Sequence, residues 1–148
     1  MRMFPERRQG MNLEKNLSEV KKNLTGQTII AATKYVEADT IRSLFHLGIS
    51  DMGENHVQAL LQKQPLLSDL PIRWHFIGHL QTNKVKQVIN QIDFLHSLDS
   101  LKLAAAIQKF RKTPLDCFIE INISHETAKT GMNPEELTNF VHELAKYD

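Results

Sequence analysis

The chain has 148 residues, with 18 Lys and Arg against 17 Asp and Glu, for a net charge of +1. That length suits one domain with its own core, and the near-neutral balance gives no electrostatic footprint for nucleic acid or a membrane surface. Cys117 is the single cysteine, which excludes an internal disulfide and fits a reducing compartment, the cytoplasm. No apolar stretch approaches the ~20 residues that a membrane span needs.

Residues 1–10 carry arginines but no apolar segment of the secretory kind, and are expected to be a disordered extension. Leu13, Leu17, Val20 and Leu24 then give one stripe of an amphipathic helix. Thr28–Ala32 reads as a strand and Ala38–Leu47 as a helix ended by Gly48. Ile49–Gly53 is a short strand, followed by a helix through Val57, Leu60 and Leu61 that stops before Pro65. Arg73–Ile77 is a strand in which His75 alternates with Trp74 and Phe76, so one set faces away from the other. A helix with Val85, Val88, Ile89 and Ile92 follows. Phe94–Ser97 is a strand, then a helix runs from Asp99 to about Arg111. Leu115–Ile123 is the longest strand and places Cys117 as a small core filler. A last helix is announced by Asn133 as N-cap, Pro134 at the first helical position and Glu136 two residues later. Leu137, Phe140, Val141 and Leu144 line one of its faces.

Five strand–helix units in series imply a parallel sheet with right-handed crossovers. An open doubly wound sheet and part of an eight-unit barrel are the competing architectures. The doubly wound sheet announces its nucleotide site with a glycine-rich first turn, and the turn here, Thr33-Lys34-Tyr35-Val36-Glu37, has no glycine. Polar residues instead follow strand after strand: Lys34, Glu54 and Asn55, Gly78 and His79, Ser97 and Asp99, Asn122 and Ser124. In a barrel these ends converge on one mouth, where barrel enzymes place their chemistry. The barrel is the expected fold. Lys34 is its foremost candidate, because a lysine desolvated at a strand end becomes an amine able to condense with an aldehyde. Ser97 and Asn122 are expected to satisfy hydrogen bonds at the mouth. His75 and His79 share a four-residue spacing, but Gly78 argues against the helix that a metal pair would need.

Several strings occur in a telling order: Ala32-Thr33-Lys34, Gly53-Glu54-Asn55-His56-Val57-Gln58, Trp74-His75-Phe76-Ile77-Gly78-His79-Leu80-Gln81-Thr82-Asn83-Lys84, His96-Ser97-Leu98-Asp99, Ile121-Asn122-Ile123-Ser124 and Lys129-Thr130-Gly131. Together they resemble the pyridoxal phosphate homeostasis proteins, also known as proline synthetase co-transcribed homologues, over a span from about Met11 to the last residue. The long string from Trp74 to Lys84 is the most specific of them.

The resemblance implies a TIM-type (β/α) barrel of the alanine-racemase N-terminal type, with the first five strand–helix units present in residues 11–148. It implies pyridoxal 5′-phosphate as the cofactor, held as an aldimine on Lys34, with Asn55 near the cofactor ring and His75 close by. It also implies a role in intracellular vitamin B6 and amino-acid homeostasis without robust catalysis, in the cytoplasm. In such proteins an arginine faces the pyridine nitrogen and leaves the ring a poor electron sink. The alternatives are a pyridoxal-phosphate-dependent amino-acid racemase or Schiff-base lyase, and a non-catalytic scaffold fragment. Lys129 and Gly131 precede a helix start, where anions are favoured, although a plain loop is the reading preferred there. The family's later Ser-x-Gly-Met-Ser and Arg-x-Gly segments, which supply the phosphate cup and the arginine facing the pyridine nitrogen, do not follow the fifth strand–helix unit in this sequence. The chain is therefore expected to be the amino-terminal portion of such a barrel and to bind cofactor poorly by itself. It is expected to self-associate through open strand edges, whereas the full-length form is expected to be a monomer.

Overall fold

Five short strands pair side by side in the order in which they occur along the chain, every pairing parallel. The computed structural model describes residues 13–124 and 130–147. The expected disordered extension over residues 1–10 and the candidate Lys129 lie outside them.

The first helix, α1 (Leu13–Lys21), has no buried residue. It leads to β1 (Ile30–Ala32), α2 (Ala38–His46), β2 (Asp51–Glu54), α3 (Val57–Lys63), β3 (Arg73–Phe76), α4 (Val85–Val88), β4 (Phe94–Leu98), α5 (Leu101–Phe110), β5 (Asp116–Ile119) and α6 (Leu137–Leu144). A doubly wound sheet reverses its strand order at a switch point. The order β1-β2-β3-β4-β5 has no reversal and is that of a barrel wall.

Alternation along the strands divides the sheet into two faces. Met52, Trp74, Phe76 and Leu95 join Ile41 of α2, Leu60 of α3, Val85 and Val88 of α4 and Leu103 and Ile107 of α5 in one buried apolar cluster. Asp51, His75, His96 and Phe118, from alternate positions, meet on the opposite face, which in a barrel is the lumen. The division of His75 from Trp74 and Phe76 follows the expected alternation. Cys117 is half-buried at the edge of the apolar cluster, and burial pushes its thiol up to about 11, as suits a packing residue.

Local chemistry sets the element ends. Gly48 takes a positive φ of 88°; its N–H donates to Phe45 O, and that of Ile49 to Leu44 O, closing α2 as a left-handed C-terminal residue does. Ser100, rather than Asp99, caps α5 by accepting the Leu103 N–H. The Asn133 side chain accepts the Glu135 N–H, as the N-cap reading requires, and one 3₁₀ turn precedes α6.

Two expected elements are shorter than their apolar patterns. The helix over Val85–Ile92 ends as a single α turn at Val88, because the Asn90 side chain donates to Phe110 O and accepts the Lys112 N–H, pulling the chain toward the end of α5. The strand over Leu115–Ile123 ends at Ile119. Beyond it, Asn122 N–H donates to Met132 O and Met132 N–H to Glu120 O, so the chain pairs with its own return segment. Gly131, at φ 102°, permits that approach: a Cβ there would stand 2.8 Å from Asn122 N.

Candidate functional site

Because all five strands run the same way, Lys34, Asn55, His79, Asp99 and Asn122 follow the C-terminal ends of β1 to β5 and share one rim. Lys34 occupies a central position of a tight turn closed by Val36 N–H donating to Thr33 O at 3.2 Å. Its ammonium lies 4.9 Å from the centre of the Tyr35 ring, and among the described residues no hydrogen-bonding or ionic partner meets it. The desolvated setting expected for Lys34 is not found among the described residues, where the side chain is exposed, as is Ala32 at the end of β1. The rim thus offers an unencumbered amine rather than a buried one.

Asn55 stands next to Glu54 at the end of β2, and its buried side-chain Oδ1 has no hydrogen-bond partner among the described residues. Such an atom is rare in a folded protein and marks a place where a donor is missing. Gly78 makes the closeness of this corner feasible, because a Cβ there would stand 2.3 Å from Asn55 O. One cleft of about 380 Å³ beside it is lined by Asn55, His56, Gln58, His79, Gln81 and Lys84. A second, of about 460 Å³, lies on the other side of His79, whose Nδ1 is 3.6 Å from Asp99 Oδ2. Ser97 Oγ is also buried without a partner, so the hydrogen bond expected of it at the mouth is not made. Asn122 does make one: its Oδ1 accepts the Ser124 hydroxyl at 3.2 Å.

His75 belongs to a different layer, nearer the N-terminal ends of the strands. Its Nε2 is 2.9 Å from Asp51 Oδ1 and its Nδ1 is 2.9 Å from His96 Nε2. Both ring nitrogens are therefore engaged. Phe94 stacks on the ring at 4.4 Å with an interplanar angle of 7°, and Phe118 lies 4.5 Å from His96. Arg73 and the Ser50 hydroxyl complete the set on Asp51 Oδ2. Burial pushes the Asp51 carboxyl up, but hydrogen bonds from His75, Arg73 and Ser50 outweigh it and hold the group below the usual carboxylate value. Burial, with the neighbouring His75 charge, pushes His96 down, so it stays neutral at pH 7.

Sequence reasoning named neither Asp51 nor His96 as partners of His75. The alternating pattern contained the signal, since residues one register step apart on parallel strands meet on one face, and Asp51 pairs with Arg73 in the ladder. A second polar group also went unnamed. The Glu54 carboxylate, fully buried, pairs with Lys63 of α3 at 2.6 Å.

A parallel sheet in barrel order, with a free lysine after its first strand and unsatisfied polar atoms along the same rim, defines a lysine-bearing site on a barrel wall. The sequence model for the alanine racemase N-terminal domain matches residues 10–148, and the chain belongs to that family. It is 43% identical over 112 residues to the pyridoxal phosphate homeostasis protein of Aquifex aeolicus, covering 74% of this chain and 49% of that one. The protein of the same name from Pasteurella multocida is 31% identical over 150 residues, covering 90% and 64%. The chain thus spans about half to two thirds of the length of these relatives. Among solved structures, PipY of Synechococcus elongatus without PLP superposes with a TM-score of 0.86 at 28% identity, covering 91% of this chain and 65% of that one. PipY with PLP bound gives 0.83 at 26% identity, covering 92% and 65%. The alanine racemase of Clostridium difficile, at 16% identity and a TM-score of 0.75, covering 93% and 37%, shares the fold.

Proposed function

We propose that the full-length protein binds pyridoxal 5′-phosphate at this rim, with Lys34 as covalent anchor and Asn55 against the ring, and serves intracellular vitamin B6 and amino-acid homeostasis without robust turnover. The observation that carries the reading is the pairing of a free rim lysine with the orphaned Asn55 Oδ1 at the ends of adjacent strands. An exposed amine can condense with an aldehyde, and a buried acceptor with no donor is satisfied by a ligand that brings one. When bound, the group supplies an aldehyde for the amine and a conjugated ring that absorbs visible light.

The other residues have supporting tasks. His75 has no ring nitrogen left for a ligand, so its contribution is to fix the floor of the lumen beneath the rim. The names of the relatives and the PLP-bound form of PipY support the choice of cofactor. The likeness to alanine racemase is one of fold. The single cysteine supports a reducing, cytoplasmic setting.

Borohydride reduction in the presence of pyridoxal phosphate, followed by peptide mass spectrometry, tests the anchor. Label is expected on the peptide containing Lys34, and label predominantly on another lysine refutes the assignment. Steady-state racemisation or lyase turnover of amino acids by the loaded protein would transfer the site to the enzymatic alternative.

A further inference from the structure

The buried Lys63–Glu54 pair lies directly behind the Lys34 turn. Glu54 is the last residue of β2, and its side chain turns away from the lumen, toward α3. Its Oε1 accepts the Asn55 N–H at 3.0 Å. Its Oε2 accepts Lys63 Nζ at 2.6 Å and the Thr33 hydroxyl at 3.5 Å. Lys63, with its side chain 12% exposed, donates a second bond at 2.7 Å to the carbonyl of Thr33. That carbonyl belongs to the peptide unit joining Thr33 to Lys34, and it is the acceptor that closes the turn with Val36. Thr33 is itself fully buried; its N–H donates to Gly53 O at 2.8 Å, and its one hydroxyl proton is shared between that oxygen and Glu54 Oε2.

One ion pair therefore holds two backbone groups, one on each side of the proposed cofactor site: the carbonyl preceding Lys34 and the amide of Asn55. A pair of charges removed from water gains little net stability over a well-packed apolar pair. What it supplies here is direction, because each bond ends on a backbone atom adjacent to a site residue. Glu54 accepts from Asn55 and Lys63 on the side facing α3, away from the Lys34 amine at the rim.

We propose that Lys63 and Glu54 are positioning residues that set the Lys34 turn against Asn55, so that the exposed Lys34, rather than any other surface lysine, is the amine that captures the cofactor. This rests on the reading of Lys34 as anchor. Lys63→Met alone strands the Glu54 charge and is expected to unfold part of the domain. The informative variant is Lys63→Met with Glu54→Leu, which removes both charges together and is expected to melt well above Lys63→Met alone.

Two readouts are made on the full-length protein. Hydrogen exchange of the Val36 amide, measured without cofactor, is expected to accelerate about tenfold or more in the double variant as the turn loosens. Borohydride trapping at equimolar pyridoxal phosphate is expected to show the Lys34 share of label falling about tenfold relative to the summed other lysines. Faster Val36 exchange with an unchanged Lys34 share would make the pair structural only and overturn the proposal, as would unchanged exchange. Label elsewhere in the parent protein would instead remove the anchor itself, and this proposal with it, which the parent's own peptide map distinguishes.

Discussion

On the lumen face of one sheet, Asp51, His75 and His96 pass hydrogen bonds from strand to strand, whereas at the rim the Lys34 ammonium and Asn55 Oδ1 have none among the described residues. The first region lies on the strands and the second just beyond their C-terminal ends, and polar groups in either would be costly to bury without partners. The lower layer meets that cost internally, with Phe94 stacked on the His75 ring and Phe118 tilted against that of His96. At the rim, capacity for hydrogen bonding is left open beside an amine. A closed network fixes structure, and an open one awaits a ligand. That difference supports the proposal of a site at the C-terminal rim, with His75 in a supporting part.

The largest expected effect is at the open end. Lys34→Ala is expected to abolish borohydride-fixed cofactor and the visible band of the bound form. Stability should change by no more than about 0.5 kcal/mol, because an exposed side chain without ionic partners is removed. Loss of the band accompanied by a large fall in melting temperature would mean that the rim and the folded core are not separable in this way.

Second in size is the expected effect of the length that the relatives have and residues 1–148 do not span. Residues 1–148 expressed alone are expected to bind pyridoxal phosphate at least about tenfold more weakly than the full-length protein, because a dianion takes several charge-assisted hydrogen bonds from its cup. They are also expected to associate, since Phe118 is 54% and Ile123 79% exposed and, among the described residues, β1 and β5 have unpaired edges. Size-exclusion chromatography and cofactor titration check both, and a monodisperse monomer with stoichiometric binding would contradict them.

At the closed end the effect is on stability. His75→Leu is expected to cost about 1–3 kcal/mol, because Asp51 loses one of its buried donors and His96 Nε2 loses its partner; cofactor stoichiometry should survive. The same layer sets a pH dependence. The folded protein holds His96 below its ordinary value of 6.5, so as pH falls through that value the unfolded chain takes up a proton that the folded chain resists. Stability contributed by His96 is therefore complete above that pH and declines below it. Asp51, held low, retains its contribution until the pH falls through the carboxylate range. Melting temperature is expected to fall between pH 7.5 and 5.5, with a flatter dependence in His96→Phe. A parent protein that gains stability on acidification over this interval would contradict the placement of His96.

Much of this architecture was legible in the sequence where a pattern has a single physical meaning. Gly48, the Asn133–Pro134 start and the alternation about His75 each specify a local geometry, and each is found. Lengths were less legible, because apolar runs do not show where a side chain such as Asn90 will capture the backbone and end a helix. Partnerships across strands were least legible. Nothing local to Lys63 points to Thr33, thirty positions away, and nothing local to Asn55 shows that its Oδ1 will be buried and unmatched. The candidate lysine was found correctly as a rim residue, but its exposure is a property of the assembled sheet.

The smallest effect is the most discriminating. Asn55→Ala removes a buried acceptor that has no donor among the described residues. Deleting a satisfied polar group strands its partner, but deleting an orphan strands nothing, so stability is expected to stay within about 0.5 kcal/mol or to rise slightly. The backbone N–H of Asn55, which donates to Glu54 Oε1, is untouched. Cofactor affinity is nevertheless expected to fall about five- to tenfold, the worth of one hydrogen bond. Equilibrium titration beside a thermal melt separates the two readouts. A variant that loses stability while keeping its affinity would show that Asn55 serves the fold, and the open rim would then resemble the closed layer beneath it.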